Sequence, residues 1–187
     1  MPDPIVIVGA GQAGVALAAK LRALGYDGPL TMIGAEPVGP YQRPPLSKKY
    51  VSGELSLDRL LIRPPAWYAD QKIELRLSAS VTAISPADRC VTLADGATLR
   101  YQRLALTTGA TPRRLPDEMG GALVGVHTIR DLTHADTIAP ELLAGRKLLV
   151  VGGGYIGLEA AAVAASKGLA VTVIEAAPRI LQRVAAP

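Results

Sequence analysis

Twice in this chain an apolar run breaks directly into closely spaced glycines and then into a stretch of small residues. Ile5–Val8 runs into Gly9-Ala10-Gly11-Gln12-Ala13-Gly14, and Lys147–Val151 runs into Gly152-Gly153-Gly154-Tyr155-Ile156-Gly157. After each, a second apolar run ends in an acid: Leu30–Ile33 leads to Gly34-Ala35-Glu36, and Val171–Ile174 leads to Glu175. Each copy predicts strand, tight turn, helix, strand, the opening of a parallel sheet with helices on its faces. The helices are expected from Val15 to Leu24, stopped by Gly25, and through about Ser166.

The glycine spacing has a chemical reading. A dinucleotide pyrophosphate carries two negative charges that bind backbone N–H groups at a helix start, where the dipole is equivalent to about +0.5 charge. Gly9 permits the turn out of the strand, Gly11 leaves room for close approach of the phosphates, and Gly14 lets helix and sheet pack; Gly152, Gly154 and Gly157 repeat these roles. A single such turn has the plain alternative of a tight strand-to-helix connection. Two copies, each with strand, helix and acid in register, predict two dinucleotides. Glu36 and Glu175 are the expected acceptors for ribose hydroxyls, against the alternative of solvated acids at strand ends. A 2′-phosphate placed ~4 Å from the Glu175 carboxylate would meet a repulsion of about 4 kcal/mol at an effective dielectric of 20, so NADH is expected over NADPH. Tyr155 and Ile156 open the second helix; Tyr155 either covers the nicotinamide pocket or packs at the helix start.

Between the copies, Pro40 to Ser47 reads as an ordered loop, and a short helix is expected near Trp67 and Tyr68. Ile73–Leu77 is a further strand. Val81–Ile84, Cys90–Leu93 and Thr98–Tyr101, separated by Pro86 and Asp95-Gly96, form an antiparallel meander, and Leu104–Thr107 ends in Thr108-Gly109-Ala110. Pro112 to Pro116 is the expected crossing point and Leu132 to Leu143 a connecting helix. The fold class is α/β: two Rossmann-like dinucleotide-binding folds with three-layer parallel sheets and a β-meander, the second fold incomplete because it offers two strands. The expected domains are 1–115 and 116–187.

Composition narrows the function classes. Hydrophobic residues make up 49% and charged residues 19% of the 187 residues, which suits a packed enzyme domain and excludes a disordered chain. Net charge is +4, but the basic residues are scattered, so nucleic acid is not expected; a local basic face would suit an acidic protein partner. Cys90 is the only cysteine, which excludes a disulfide framework or a C-x-x-C redox pair and requires a cofactor to carry any electrons. No apolar stretch approaches the ~20 residues that span a bilayer, so no membrane association is expected and the expected compartment is cytoplasmic.

At Pro40-Tyr41-Gln42-Arg43-Pro44-Pro45-Leu46-Ser47-Lys48 the sequence resembles a specific family, the FAD-dependent ferredoxin reductases of bacterial oxygenase systems, of the putidaredoxin reductase and rhodocoxin reductase type. The resemblance continues through Thr108-Gly109-Ala110, Arg130 and Gly152 to Glu159. It implies FAD in the first fold and NADH in the second. It also implies a 2Fe–2S ferredoxin as partner, acidic in character, and indirectly an oxygenase or cytochrome P450. By resemblance, Ala13 and its neighbours together with Thr108 and Gly109 contact FAD, and Glu36 binds the adenosine ribose. Arg43 reaches the phosphates or ribityl chain, Val81 meets adenine through its backbone, and Arg130 reaches back to FAD. Lys48 lies at the flavin ring with Glu159 as its partner, and Glu159 and Glu175 hold NADH. Members often carry Asp just before the ribose-binding acid, where this chain has Ala35. Lys48 and Glu159 are the candidate catalytic pair, since a cation beside the flavin stabilises the anionic reduced ring.

Two other readings share these motifs: a flavin-binding signalling protein similar to apoptosis-inducing factor, and an NADH oxidase or the flavoprotein part of a nitrite reductase. His127 and His134 read as structural, Cys90 as a small buried residue, and Trp67 and Tyr68 as packing. The resemblance further implies a piece of a protein of about 400 residues, with weak FAD retention by the isolated chain.

Overall fold

The computed structural model describes residues 3–182 and 184–186. Its strands are β1 (Ile5–Val8), β2 (Leu30–Ile33), β3 (Ile73–Arg76), β4 (Val81–Ser85), β5 (Cys90–Leu93), β6 (Thr98–Arg100), β7 (Arg103–Leu106), β8 (Lys147–Val151) and β9 (Ala170–Ile174). The helices are α1 (Gln12–Ala23), α2 (Leu57–Leu60), α3 (Pro65–Asp70), α4 (Leu132–Ile138) and α5 (Tyr155–Ser166), with 3-10 turns at Pro44–Ser47, Asp117–Met119 and Ala139–Glu141. The chain divides into two compact units, Met1–Gln42 with Leu60–Ala110, and Arg43–Arg59 with Thr111–Pro187.

The first unit is built on a parallel sheet ordered β3-β2-β1-β7. Every residue of β1 and β2 is buried, as expected of central parallel strands covered on both faces. Alternate residues serve opposite layers. Ile5, Ile7, Leu30 and Met32 pack on Val15 and Ala18 of α1 and on Tyr68 of α3, whereas Val6, Val8 and Ile33 pack on Val91 and Leu93 of the meander β4-β5-β6. Each such aliphatic side chain contributes about 1.5–3 kcal/mol on burial. The result is a helix layer, a parallel sheet and an antiparallel meander, with the carboxyl ends of β1, β2 and β7 leading into the Gly9, Gly34 and Thr107 turns.

The second unit pairs β8 with β9 in parallel, Lys147 opposite Ala170 and Val151 opposite Ile174. Both strands alternate between exposed and half-buried residues. The half-buried face, with Leu148 and Val171, packs around a core of Val51, Leu142, Ala164 and Leu169. Val51 brings the 43–59 segment into this unit, and the Tyr50 hydroxyl ties it to α4 by donating to Asp136 Oδ1 at 2.7 Å.

Three local expectations change. α1 begins at Gln12 rather than Val15, because the glycine turn itself supplies the first helical residues, with Gly11 as N-cap. The helix expected from Leu132 to Leu143 ends at Ile138 and tightens into a 3-10 turn at Ala139–Glu141, where Pro140 has no N–H to continue the ladder. The proline-rich loop contains the 3-10 turn Pro44–Ser47, its prolines occupying first positions whose N–H groups need no partner. Among the described residues no helix is long and apolar enough to cross a membrane.

Candidate functional site

The first glycine turn divides its labour by geometry. Gly9 has φ +115°, and a Cβ there would stand 2.1 Å from the Thr107 carbonyl oxygen; at Gly14 a Cβ would stand 2.3 Å from the Gly9 carbonyl oxygen. These two glycines let backbone lie on backbone. Gly11 differs: its φ is −114°, and no heavy atom lies within 4 Å of a Cβ built there. Open space therefore faces the start of α1, whose N-cap donates and accepts no side-chain capping bond and whose first turn holds no acid. Thr107 fixes the turn from below, its N–H donating to the Val8 carbonyl at 2.8 Å and its hydroxyl to the Gly9 carbonyl at 2.8 Å. Sequence reasoning missed Thr107, which follows β7 directly and precedes the expected Thr108 and Gly109. Those two are exposed, as is Ala13, and Gly109 takes φ +72°.

Glu36 follows β2, half-buried, and its carboxylate accepts from the hydroxyl of buried Tyr41 at 2.5 Å. Its carbonyl accepts from Ser78 N–H at 3.0 Å. Ser78 lines a cleft of about 400 Å³ together with Arg76, Ser80, Ala94 and Asp95. Val81 starts β4, half-buried and paired with Leu93, where a bulge between Val81 and Ala83 shifts the register.

In the second unit the same turn recurs. Gly152 has φ +104°, a Cβ at Gly157 would stand 2.4 Å from the Gly152 carbonyl oxygen, and Gly154 faces open space with no heavy atom within 4 Å. α5 starts without a side-chain cap or first-turn acid. The Glu175 carboxylate is held by two backbone amides, Gly153 N–H donating to Oε2 at 2.7 Å and Ala177 N–H to Oε1 at 2.8 Å. Tyr155 and Ile156 are more than half exposed at the head of α5, so neither packs into the core of this unit.

A polar cluster joins the 43–59 segment to α5. Lys48 Nζ lies 2.9 Å from Glu159 Oε1, and the Ser47 hydroxyl donates to Glu159 Oε2 at 2.5 Å. Arg43 Nη1 donates to the Arg130 carbonyl at 3.1 Å, bringing these two expected residues together through backbone.

Both histidines stand beside acids. His127 Nε2 lies 3.0 Å from Glu141 and His134 Nδ1 2.9 Å from Asp131, whose carboxylate also caps α4. Trp67 and Tyr68 meet edge to face at 5.1 Å. Cys90 is only half-buried at the start of β5.

Two glycine turns open to ligand at helix starts, each with an acid after the following strand, define a two-nucleotide α/β protein. The chain belongs to the pyridine nucleotide-disulphide oxidoreductase family, whose sequence profile matches residues 3–187. It is 47% identical over 181 residues to a ferredoxin–NAD(P)(+) reductase of Sphingomonas sp, covering 97% of this chain and 44% of that protein. It is 44% identical over 187 residues to putidaredoxin reductase of Pseudomonas putida, covering 99% of this chain and 44% of that one. The covalent putidaredoxin reductase–putidaredoxin complex superposes with a TM-score of 0.91 at 41% identity, covering 99% of this chain and 45% of that one. The chain thus spans less than half the length of these relatives.

Proposed function

We propose that this chain forms part of an NADH-dependent reductase that passes electrons through FAD to a 2Fe–2S ferredoxin serving an oxygenase. The observation that carries the reading is the pair of bare glycines, Gly11 and Gly154, each opening an uncapped helix start onto open space, the arrangement that diphosphate binding at a helix start uses. The relatives' names, reductases of ferredoxins, give the direction of electron flow.

In this reading Gly9, Gly11, Ala13 and Gly14 receive the FAD diphosphate, with Thr108 and Gly109 beside them. Glu36 accepts from the adenosine ribose. The cleft at Ser78 is large enough for a purine, and Val81, which meets adenine through its backbone in this reading, follows the lining residue Ser80. Arg43 and Arg130 bind FAD, Arg43 with one guanidinium nitrogen already fixed on the Arg130 carbonyl. Gly152, Gly154, Tyr155, Ile156 and Gly157 receive NADH, and Glu175, oriented by the Gly153 and Ala177 amides, accepts from its ribose while repelling a 2′-phosphate. Lys48 holds its positive charge against Glu159 and stands at the flavin ring. FAD, when bound, supplies acceptance of a hydride as an electron pair and release of electrons one at a time. Residues 1–115 are assigned to FAD binding and 116–187 to the connecting helix and NADH binding. The lone Cys90 suits a reducing compartment, and we place the reaction in the cytoplasm.

The test uses the protein at its full natural length. NADH is expected to bleach its flavin absorption, and the reduced protein to pass electrons to an acidic 2Fe–2S ferredoxin. Flavin that NADH leaves oxidised would overturn the reading.

A further inference from the structure

Glu159 is gripped from two sides by consecutive residues. Ser47 donates its hydroxyl to Oε2 at 2.5 Å, and Lys48 meets Oε1 at 2.9 Å. The two contacts differ in kind. Lys48 has half of its side chain in solvent, and an exposed lysine on a long flexible stem orders a carboxylate weakly. Ser47 is only 4% exposed, sits on the 3-10 turn Pro44–Ser47 where prolines restrict the backbone, and has a side chain with one rotor before the oxygen. A hydroxyl donating to a charged acceptor from such a fixed site is a short, directional bond.

We propose that Ser47 is a positioning residue: its buried hydroxyl fixes the Glu159 carboxylate so that the second oxygen holds the Lys48 ammonium in one place. The contact lies between the 43–59 segment and the first half of α5, within one compact unit. Removal of the hydroxyl is compatible with folding, because the Glu159 side chain is 26% exposed and can turn to water instead of being left buried without a partner. Glu159 then leaves Lys48, and the ammonium samples solvent like its neighbour Lys49. The consequence for function rests on the reading of Lys48 as the flavin-side cation.

The experiment is trace labelling of lysines by acetic anhydride in the full-length holoprotein at one alkaline pH, read by mass spectrometry with exposed Lys49 as internal reference. Glu159→Gln is expected to raise Lys48 labelling relative to Lys49 about two- to fivefold. Ser47→Ala is expected to give most of that rise, Ser47→Thr to restore the wild-type ratio, and the Ser47→Ala/Glu159→Gln double variant to label no faster than Glu159→Gln alone. Wild-type labelling in Ser47→Ala, or a double variant that labels faster than Glu159→Gln, would overturn the proposal. Circular dichroism melting shows whether each variant is folded, and Ser47→Thr keeps the test decisive if Ser47→Ala melts early. Bleaching of the wild-type flavin by NADH, measured alongside, judges the reductase reading separately from the ratios among the Ser47 and Glu159 variants.

Discussion

The hydroxyl of Tyr41, a residue only 4% exposed, donates to the Glu36 carboxylate, so the acid that ends the first strand-turn-helix-strand unit is oriented before any ligand arrives. Preorganisation of this kind removes part of the ordering entropy of binding. Tyr41→Phe keeps the buried ring and deletes the donor. FAD affinity is expected to fall about tenfold, near 1.4 kcal/mol, and the loss should vanish in a Glu36→Ala background. Titration of flavin fluorescence against protein measures both.

Gly9 and Gly11 separate stability from binding. Alanine at Gly9 meets the Thr107 carbonyl oxygen at 2.1 Å with φ +115°, so Gly9→Ala is expected to lower thermal stability strongly, by more than about 2 kcal/mol. Alanine at Gly11 meets nothing and has an ordinary backbone conformation. With FAD removed from both proteins, Gly11→Ala should melt within about 1 kcal/mol of wild type, yet it should fail to take up FAD. Calorimetry and flavin content, measured on both variants, check the split.

Tyr68 is 3% exposed and its hydroxyl is buried without a hydrogen-bond partner among the described residues. Tyr68→Phe retains the edge-to-face contact with Trp67 and is expected to stabilise by about 1 kcal/mol. Burial, partly offset by Arg63, pushes the phenol up to about 12 from 10.0. Because the folded value is the higher one, the neutral phenol favours folding fully below pH 10.0 and that contribution is lost as pH rises through about 12. The alkaline fall in melting temperature should therefore be shallower in Tyr68→Phe.

Glu175 both bonds the Gly153 amide and stands as the expected ribose acceptor. Glu175→Ser is expected to reduce the preference for NADH over NADPH at least tenfold, a part of the ~4 kcal/mol bare repulsion. It should also raise the KM for NADH, because the Gly153 amide loses its acceptor. Steady-state kinetics with each nucleotide resolves the two effects.

Much of the fold was legible because its signals are local. Strand, glycine turn, helix and acid lie within about 30 residues, and β1, β2, β5 and β8 have the ends that apolar runs and turn residues indicate. Contacts between distant segments were not legible. Thr107 reaches Gly9 across 98 residues and Ser47 reaches Glu159 across 112, and neither hydroxyl differs in sequence from any other serine or threonine in a loop. The Lys48–Glu159 pair was expected from family resemblance and from the chemistry of a cation beside a flavin, because two opposite charges so far apart carry no pairing signal. The shortening of α4 was readable in Pro140 but masked by the apolar periodicity that continues through Leu142 and Leu143.

The account stands on two separate nucleotide turns, and one comparison tests it most directly: anaerobic NADH titration of the flavin spectrum in full-length wild type and in Gly154→Ala. Alanine at Gly154 touches no protein atom and lies in the second turn only. The expected result is a full complement of flavin in both proteins, bleached by NADH in wild type and resistant to it in Gly154→Ala. Equal bleaching at equal NADH concentration in the two proteins would contradict the account.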